Sequence, residues 1–137
     1  MVRRSFVEYA AALTRALRGK PRPAATLTDH LEGFEVAALA ADDQGRYIGA
    51  NTRACLLTGY SHTELLTRRV SDLVVAETPG NDPAPLWDTF AAEGYQHGHV
   101  ILRRSDDTTI AVSYDAFGNV ASGVNVSFLV PVDAPTT

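Results

Sequence analysis

The feature that most constrains this fold is a tight turn close to the end of the first third of the chain. The segment Asp42-Asp43-Gln44-Gly45 consists of residues that favour β-turns, and apolar residues lie on both sides of it. The pattern predicts a hairpin between a strand over residues 34–41 and a second strand that contains Tyr47 and Ile48.

Short capped helices are predicted directly after this hairpin. Asn51 is placed to cap a helix that reaches Thr58 and ends at Gly59. The segment Ser61-His62-Thr63-Glu64 is a capping box, in which serine and glutamate side chains each accept a hydrogen bond from the other residue's backbone amide. A third short element is expected over residues 70–75.

The second half of the chain predicts one longer helix and three strands. A loop over residues 78–85 precedes a helix over residues 85–93, in which Trp87 and Phe90 share a face. Strands are expected over residues 95–104, 108–117 and 120–132, with turns at Ser105-Asp106-Asp107 and Gly118-Asn119.

An amphipathic helix is predicted over residues 2–18, and Gly19, Pro21 and Pro23 end it. Its apolar residues recur every three or four positions, which places on one stripe Val2, Phe6, Tyr9, Leu13 and Ala16. So narrow a stripe packs against another helix or lies across a sheet. We expect it to join two copies of the chain, with an interface formed by Val2, Phe6, Tyr9 and Leu13.

Together these elements predict an α+β fold with five strands and with helices grouped between the second and third. The 137 residues fit one domain, and the 45% of hydrophobic residues is enough for a core. We divide the chain into an N-terminal helix (1–20), a connection (21–33) with a helical turn at residues 27–31, a domain (34–132) and a tail (133–137).

Composition excludes several classes of function. No run of about 18 apolar residues is present, so we expect no membrane span. Cys55 is the single cysteine, which excludes a disulfide framework within the chain and fits the cytoplasm. The net charge is −4, and too few basic residues are clustered for strong nucleic-acid binding. The basic residues among the first 22 are Arg3, Arg4, Arg15, Arg18, Lys20 and Arg22.

The order of these motifs resembles that of PAS domains, over about residues 33–132. Residues 41–51 resemble the family's first hairpin and its asparagine-capped helix, and Val70-Ser71-Asp72-Leu73 resembles its next short helix. Leu57-Thr58-Gly59-Tyr60-Ser61, followed by Glu64-Leu65-Leu66, is similar to the stretch L-x-G-Y-S-x-x-E-L. Arg103-Arg104-Ser105-Asp106-Asp107 resembles the turn after the third strand, with Asp107 where the family usually has glycine. The resemblance implies a five-stranded antiparallel sheet with short helices clustered on one face.

Known cofactors of such domains require residues that this chain lacks. Haem-binding members carry a histidine on the long helix, and residues 85–93 contain none. Flavin photoreceptors carry an Asn-Cys-Arg-Phe-Leu-Gln-like segment where this chain has Ser71-Asp72-Leu73-Val74-Val75. His97 and His99 share a strand face, but no other ligand is near them in sequence, so we expect no metal site. The sequence assigns neither the presence nor the identity of a cofactor.

The resemblance implies a pocket between the sheet and the helices. Alternation along the strands places Val100 and Leu102 beside Val112 and Tyr114. In flavin-binding relatives a polar residue on the last strand contacts the ligand, and Asn125 lies near that position. From the helices we expect Leu57, Trp87 and Phe90 to face them. Such a pocket suits a small organic ligand. The alternative is a solid core.

We therefore expect a non-catalytic sensory module that binds a small molecule or a protein partner and signals through the packing of a homodimer. No catalytic residue can be assigned from spacing alone. One alternative is a dimerisation scaffold with a filled core. Another is a small cone-shaped α+β isomerase or hydrolase with Tyr114 and an aspartate such as Asp88 in its pocket, although its element order fits less well.

Overall fold

The computed structural model describes residues 2–18, 24–75 and 94–132. The predicted loop over residues 78–85, the predicted helix over residues 85–93 and the tail lie outside the described residues. The elements of the described part are, in chain order, α1 (Val2–Leu17), α2 (Ala24–Leu31), β1 (Ala37–Ala41), β2 (Tyr47–Ala50), α3 (Thr52–Thr58), α4 (His62–Leu65), α5 (Val70–Leu73), β3 (Tyr95–Arg103), β4 (Thr109–Ala121) and β5 (Val124–Pro131).

The five strands form one antiparallel sheet in the order β2-β1-β5-β4-β3. The last strand of the chain therefore lies at the centre of the sheet, between β1 and β4. This arrangement confirms the predicted α+β fold and the five-stranded antiparallel sheet that the resemblance implies.

The local turn and cap signals also have the predicted geometry. Gly45 and Gly59 adopt left-handed backbone angles, each with φ of 80°, and Asp107 does the same at φ 69° where a glycine is usual. In the capping box, Glu64 N donates to Ser61 Oγ at 3.1 Å and Ser61 N donates to Glu64 Oε1 at 2.9 Å.

Three predicted boundaries were wrong. The turn between the last two strands lies at residues 122–123, because Asn119 takes up a left-handed bulge at φ 52° and β4 continues past it. β1 begins at Ala37 rather than at residue 34. Within the connection, α2 is a helix of 8 residues rather than a single turn.

Helices cover both faces of the sheet. We call the side that α1 and α2 cover the outer face, and the side that α3, α4 and α5 cover the cavity face. Each face has its own cluster of buried apolar residues. Alternation along the central strand separates the two clusters, since Phe128 belongs to the outer cluster and Leu129 to the other.

The apolar stripe of α1 lies across the sheet of its own chain. The ring of Phe6 stacks on that of Phe128 with 5.4 Å between centroids, and Tyr9 stacks on Phe34 at 4.7 Å. Leu13 and Leu17 are fully buried in the same cluster. Of the two arrangements that the sequence allowed for this stripe, packing across a sheet is the one observed within the chain.

Asn51 connects the two layers of helices. The residue is 1% exposed. Its side-chain amide donates to Leu31 O at 3.0 Å and to Val36 O at 2.8 Å. Its Oδ1 accepts from Ala38 N and from Ala54 N, each at 3.0 Å. One buried amide therefore joins the end of α2, the start of β1 and the start of α3.

Replacing Asn51 should strongly destabilise the fold, because an Asn51→Ala substitution leaves backbone groups of several segments buried without their partner. We expect a loss of about 2–4 kcal/mol in the free energy of unfolding, measured by urea denaturation. The control is Arg53→Ala on the exposed side of α3, which should change stability by less than about 0.5 kcal/mol. Equal stability of the two variants would contradict this role.

Candidate functional site

A cavity of about 100 Å³ lies on the cavity face of the sheet, beside α5. Most of its described lining is apolar: Leu39, Ala41, Val70, Val74, Val100, Leu102, Ala116 and Leu129. The polar residues of the described lining are Tyr47, Gln96, Tyr114, Asn125 and Ser127. None of these lining residues carries a formal charge.

Several of the residues predicted from sequence meet at this cavity. The lining includes Val100, Leu102, Tyr114 and Asn125. Val112 and Leu57 belong to the apolar cluster of the same face, the first fully buried and the second partly, but neither borders the cavity. Trp87 and Phe90, together with Asp88 of the enzyme alternative, lie outside the described residues.

Tyr47 lines the cavity, and the sequence analysis missed it. β2 contains an extra residue opposite the Ala40/Ala41 step, so Tyr47 pairs with Ala41 while Gly49 pairs with Ala40. This bulge puts Tyr47 and Gly49, two positions apart, on opposite faces, where regular alternation would put them on the same one. The sequence signal that could have identified Tyr47 is its large aromatic side chain at the start of the second strand, separated from the turn by one residue.

The phenol ring of Tyr47 is buried at the wall of the cavity. The residue is 6% exposed, and its hydroxyl makes no hydrogen bond to a described residue. Among the described residues the buried side-chain atom without a partner is Arg68 Nε, so the Tyr47 hydroxyl is still accessible to solvent. Burial raises the pKa of this phenol well above its usual value, and the negative charge of Asp72 raises it further. The group is therefore a neutral O–H donor at physiological pH.

Tyr114 offers a second phenol to the cavity. It lies opposite Gly98 in the β3–β4 ladder, and a Cβ at Gly98 would come within 3.2 Å of the Tyr114 hydroxyl. The glycine therefore leaves room for the ring to lie over the neighbouring strand. Partial burial raises the pKa of Tyr114, so this hydroxyl is also a donor.

Asn125 borders the cavity, but its amide is engaged in holding the fold. Its Nδ2 donates to Ala41 O at 3.2 Å and to Asp43 Oδ1 at 3.1 Å. Its Oδ1 accepts from Asn119 N at 3.0 Å and so fixes the bulge of β4. Both amide hydrogens are thus used within the protein, which leaves only one acceptor position for anything else.

A separate polar cluster lies on the outer face of the sheet. Buried Asp115 accepts from the Tyr95 hydroxyl at 3.0 Å, and its other oxygen lies 2.8 Å from Nδ1 of His97. The ring of exposed His99 is 6.0 Å from that of His97. Within residues 2–18, 24–75 and 94–132, no group of three or more histidine, cysteine or acidic residues is arranged to hold a metal ion.

The residues predicted for a dimer interface lie on α1. Phe6 and Leu13 are buried and Tyr9 is half-buried, all against the sheet of their own chain. The side chain of Val2 lies outside the described part of the structure. On the outward side of α1, Val7 is 51% exposed. None of the helices that the structure describes is both long and apolar enough to cross a membrane.

A family model described as PAS domain matches residues 35–132 of the chain. No curated protein sequence matches it significantly. Among solved structures, the LOV protein of Rhodobacter sphaeroides superposes with a TM-score of 0.69 at 13% identity, covering 85% of this chain and 71% of that one.

Two further structures share the fold at similarly low identity. The PAS domain of a protein from Desulfitobacterium hafniense has a TM-score of 0.65 at 18% identity, with 76% of this chain and 99% of that one covered. The PAS domain of a LuxR-family transcriptional regulator from Burkholderia thailandensis, in complex with ethanol, has a TM-score of 0.61 at 10% identity, with 75% and 94% covered. At these identities the similarity shows the fold alone.

Proposed function

This chain belongs to the PAS domain family, whose members are generally sensory modules without catalytic activity, and we propose that it binds a small organic molecule in the cavity and signals through contacts with a second copy. The single cysteine, Cys55, is free, which suits the reducing cytoplasm where we place this module.

The observation that carries this proposal is the contrast between the two faces of the sheet. On the outer face, aromatic and leucine side chains from α1 and α2 pack against the sheet. On the cavity face, small residues such as Ala41, Ala116 and Ser127 leave a cavity that two tyrosines border. A cavity with apolar walls and a few polar groups is the usual form of a small-molecule site.

The size of the cavity limits the ligand. Sites for drug-sized molecules occupy about 300–1,000 Å³, whereas an apolar cavity of about 150 Å³ is sufficient for benzene. At about 100 Å³ the described cavity suits a molecule of few heavy atoms. One of the similar PAS domains is in complex with ethanol, a ligand of this order of size.

The two alternative functions fit these observations less well. A scaffold with a filled core needs no cavity bordered by two tyrosines. The cone-shaped isomerase or hydrolase fold is not the one observed, because the chain has the PAS arrangement of elements. We therefore propose a receptor role without catalysis.

We propose that β5 passes the ligand's effect to α1. Ser127 and Leu129 border the cavity, while Phe128 between them stacks on Phe6 of α1 on the other face. A shift of this strand by a ligand would therefore change the packing under α1. Since α1 lies at the surface, the change would reach a second copy that contacts its outward side.

Filling the cavity should weaken ligand binding. Ala116→Leu adds apolar volume at a buried lining position, and we expect the affinity for dissolved xenon, measured by titration of backbone amide NMR shifts, to fall by about tenfold or more. Ala111→Leu is the matched control, because Ala111 is exposed on the same strand. If xenon shifts no amide that borders the cavity in the unmodified protein, the receptor proposal fails.

Pairing should depend on the outward side of α1. We expect Val7→Glu to dissociate the pair in sedimentation velocity experiments, because it places a charge in an apolar contact. Leu56→Glu is the control, since Leu56 is 73% exposed on α3 and away from the proposed contact. A dimer that resists Val7→Glu, or a protein that sediments as a monomer throughout, would contradict pairing through α1.

A further inference from the structure

We infer that the cavity selects a small uncharged molecule with a hydrogen-bond acceptor, such as a ketone, and that the Tyr47 hydroxyl donates the bond that recognises it. This inference rests on the proposed function, because it assumes that the cavity binds a ligand.

Tyr47 has the features of a group that awaits a ligand. The residue is more than nine-tenths buried and borders the cavity, and its hydroxyl makes no hydrogen bond to a described residue although it is still accessible to solvent. A hydroxyl in such apolar surroundings gains free energy from a hydrogen-bond partner. A ligand acceptor in the cavity would satisfy this hydroxyl at the position where the bulge of β2 has put it.

The phenol acts as a donor rather than as a base. Its burial and the nearby charge of Asp72 both raise its pKa, so the proton stays on the oxygen near neutral pH. An O–H donor pairs with a carbonyl, ether or hydroxyl oxygen of the ligand. Asn125 cannot take over this role, because both hydrogens of its amide are used by Ala41 and Asp43.

The cavity also favours a ligand without charge. The described lining contains no lysine, arginine, histidine, aspartate or glutamate. A carboxylate or an ammonium ion would therefore leave water without a counter-charge in the described lining, which is strongly unfavourable in apolar surroundings. Tyr114 could stabilise a neutral acceptor further, since its half-buried hydroxyl likewise has no partner among the described residues.

The test compares two small compounds of nearly the same shape, acetone and isobutene, of which only the first accepts a hydrogen bond. Dissociation constants are measured by amide NMR titration of the full chain. We expect the ketone to bind about tenfold or more tightly than the hydrocarbon, and Tyr47→Phe to remove that preference while leaving hydrocarbon binding unchanged. Tyr60→Phe, a half-buried tyrosine away from the cavity lining, should retain the preference.

Each outcome separates this inference from the proposed function. If both compounds bind the unmodified protein equally, or if Tyr47→Phe retains the preference for the ketone, the cavity is a ligand site but the hydrogen-bond inference is wrong. Tighter binding of acetate than of acetone would contradict selection for an uncharged ligand. If none of the three compounds shifts the amides at the cavity, the proposed function fails and this inference fails with it.

Discussion

The structure depends on one buried side chain, the amide of Asn51. Its hydrogen bonds reach the end of α2 on the outer face, β1 in the sheet and the start of α3 on the cavity face. The same corner is strengthened from outside, because Glu32 accepts from Thr52 N at 3.0 Å and Thr28 Oγ1 lies 2.8 Å from Nε2 of His62. These hydrogen bonds thus hold the helices of the two layers together around the edge of the sheet. The fixed position of this edge helps to maintain the shape of the cavity.

Two faces of one sheet have different packing, and the difference originates in the size of the side chains that alternate along the strands. On the outer face Phe128 makes ring contacts with Phe6, Tyr9, Phe34 and Phe117. On the cavity face alanine, serine and glycine occupy positions where larger residues would fill the interior. A central strand that belongs to both faces links the cavity to a surface helix over the thickness of a single sheet.

Local signals in the sequence were sufficient for much of this fold, because caps and turns depend on neighbouring residues. The cap at Asn51 and the left-handed residue Asp107 follow from such short-range chemistry. The cavity was only partly predictable. Tyr47 was missed because a bulge reverses its face, and Asn125 borders the cavity but uses its amide to hold another bulge. A β-bulge depends on how a strand pairs with residues that are distant in sequence. A prediction that assumes strict alternation of side chains along a strand cannot include it.

The central claim is that this chain keeps an open apolar site on the cavity face of its sheet. Diffraction from a crystal held under xenon gas tests it most directly, since xenon enters apolar cavities without needing a specific chemical group. The account predicts xenon density bordered by Tyr47, Tyr114 and Leu129, and none between α1 and the sheet. Absence of xenon at that position, or its presence beneath Phe6 and Leu13 instead, would contradict it.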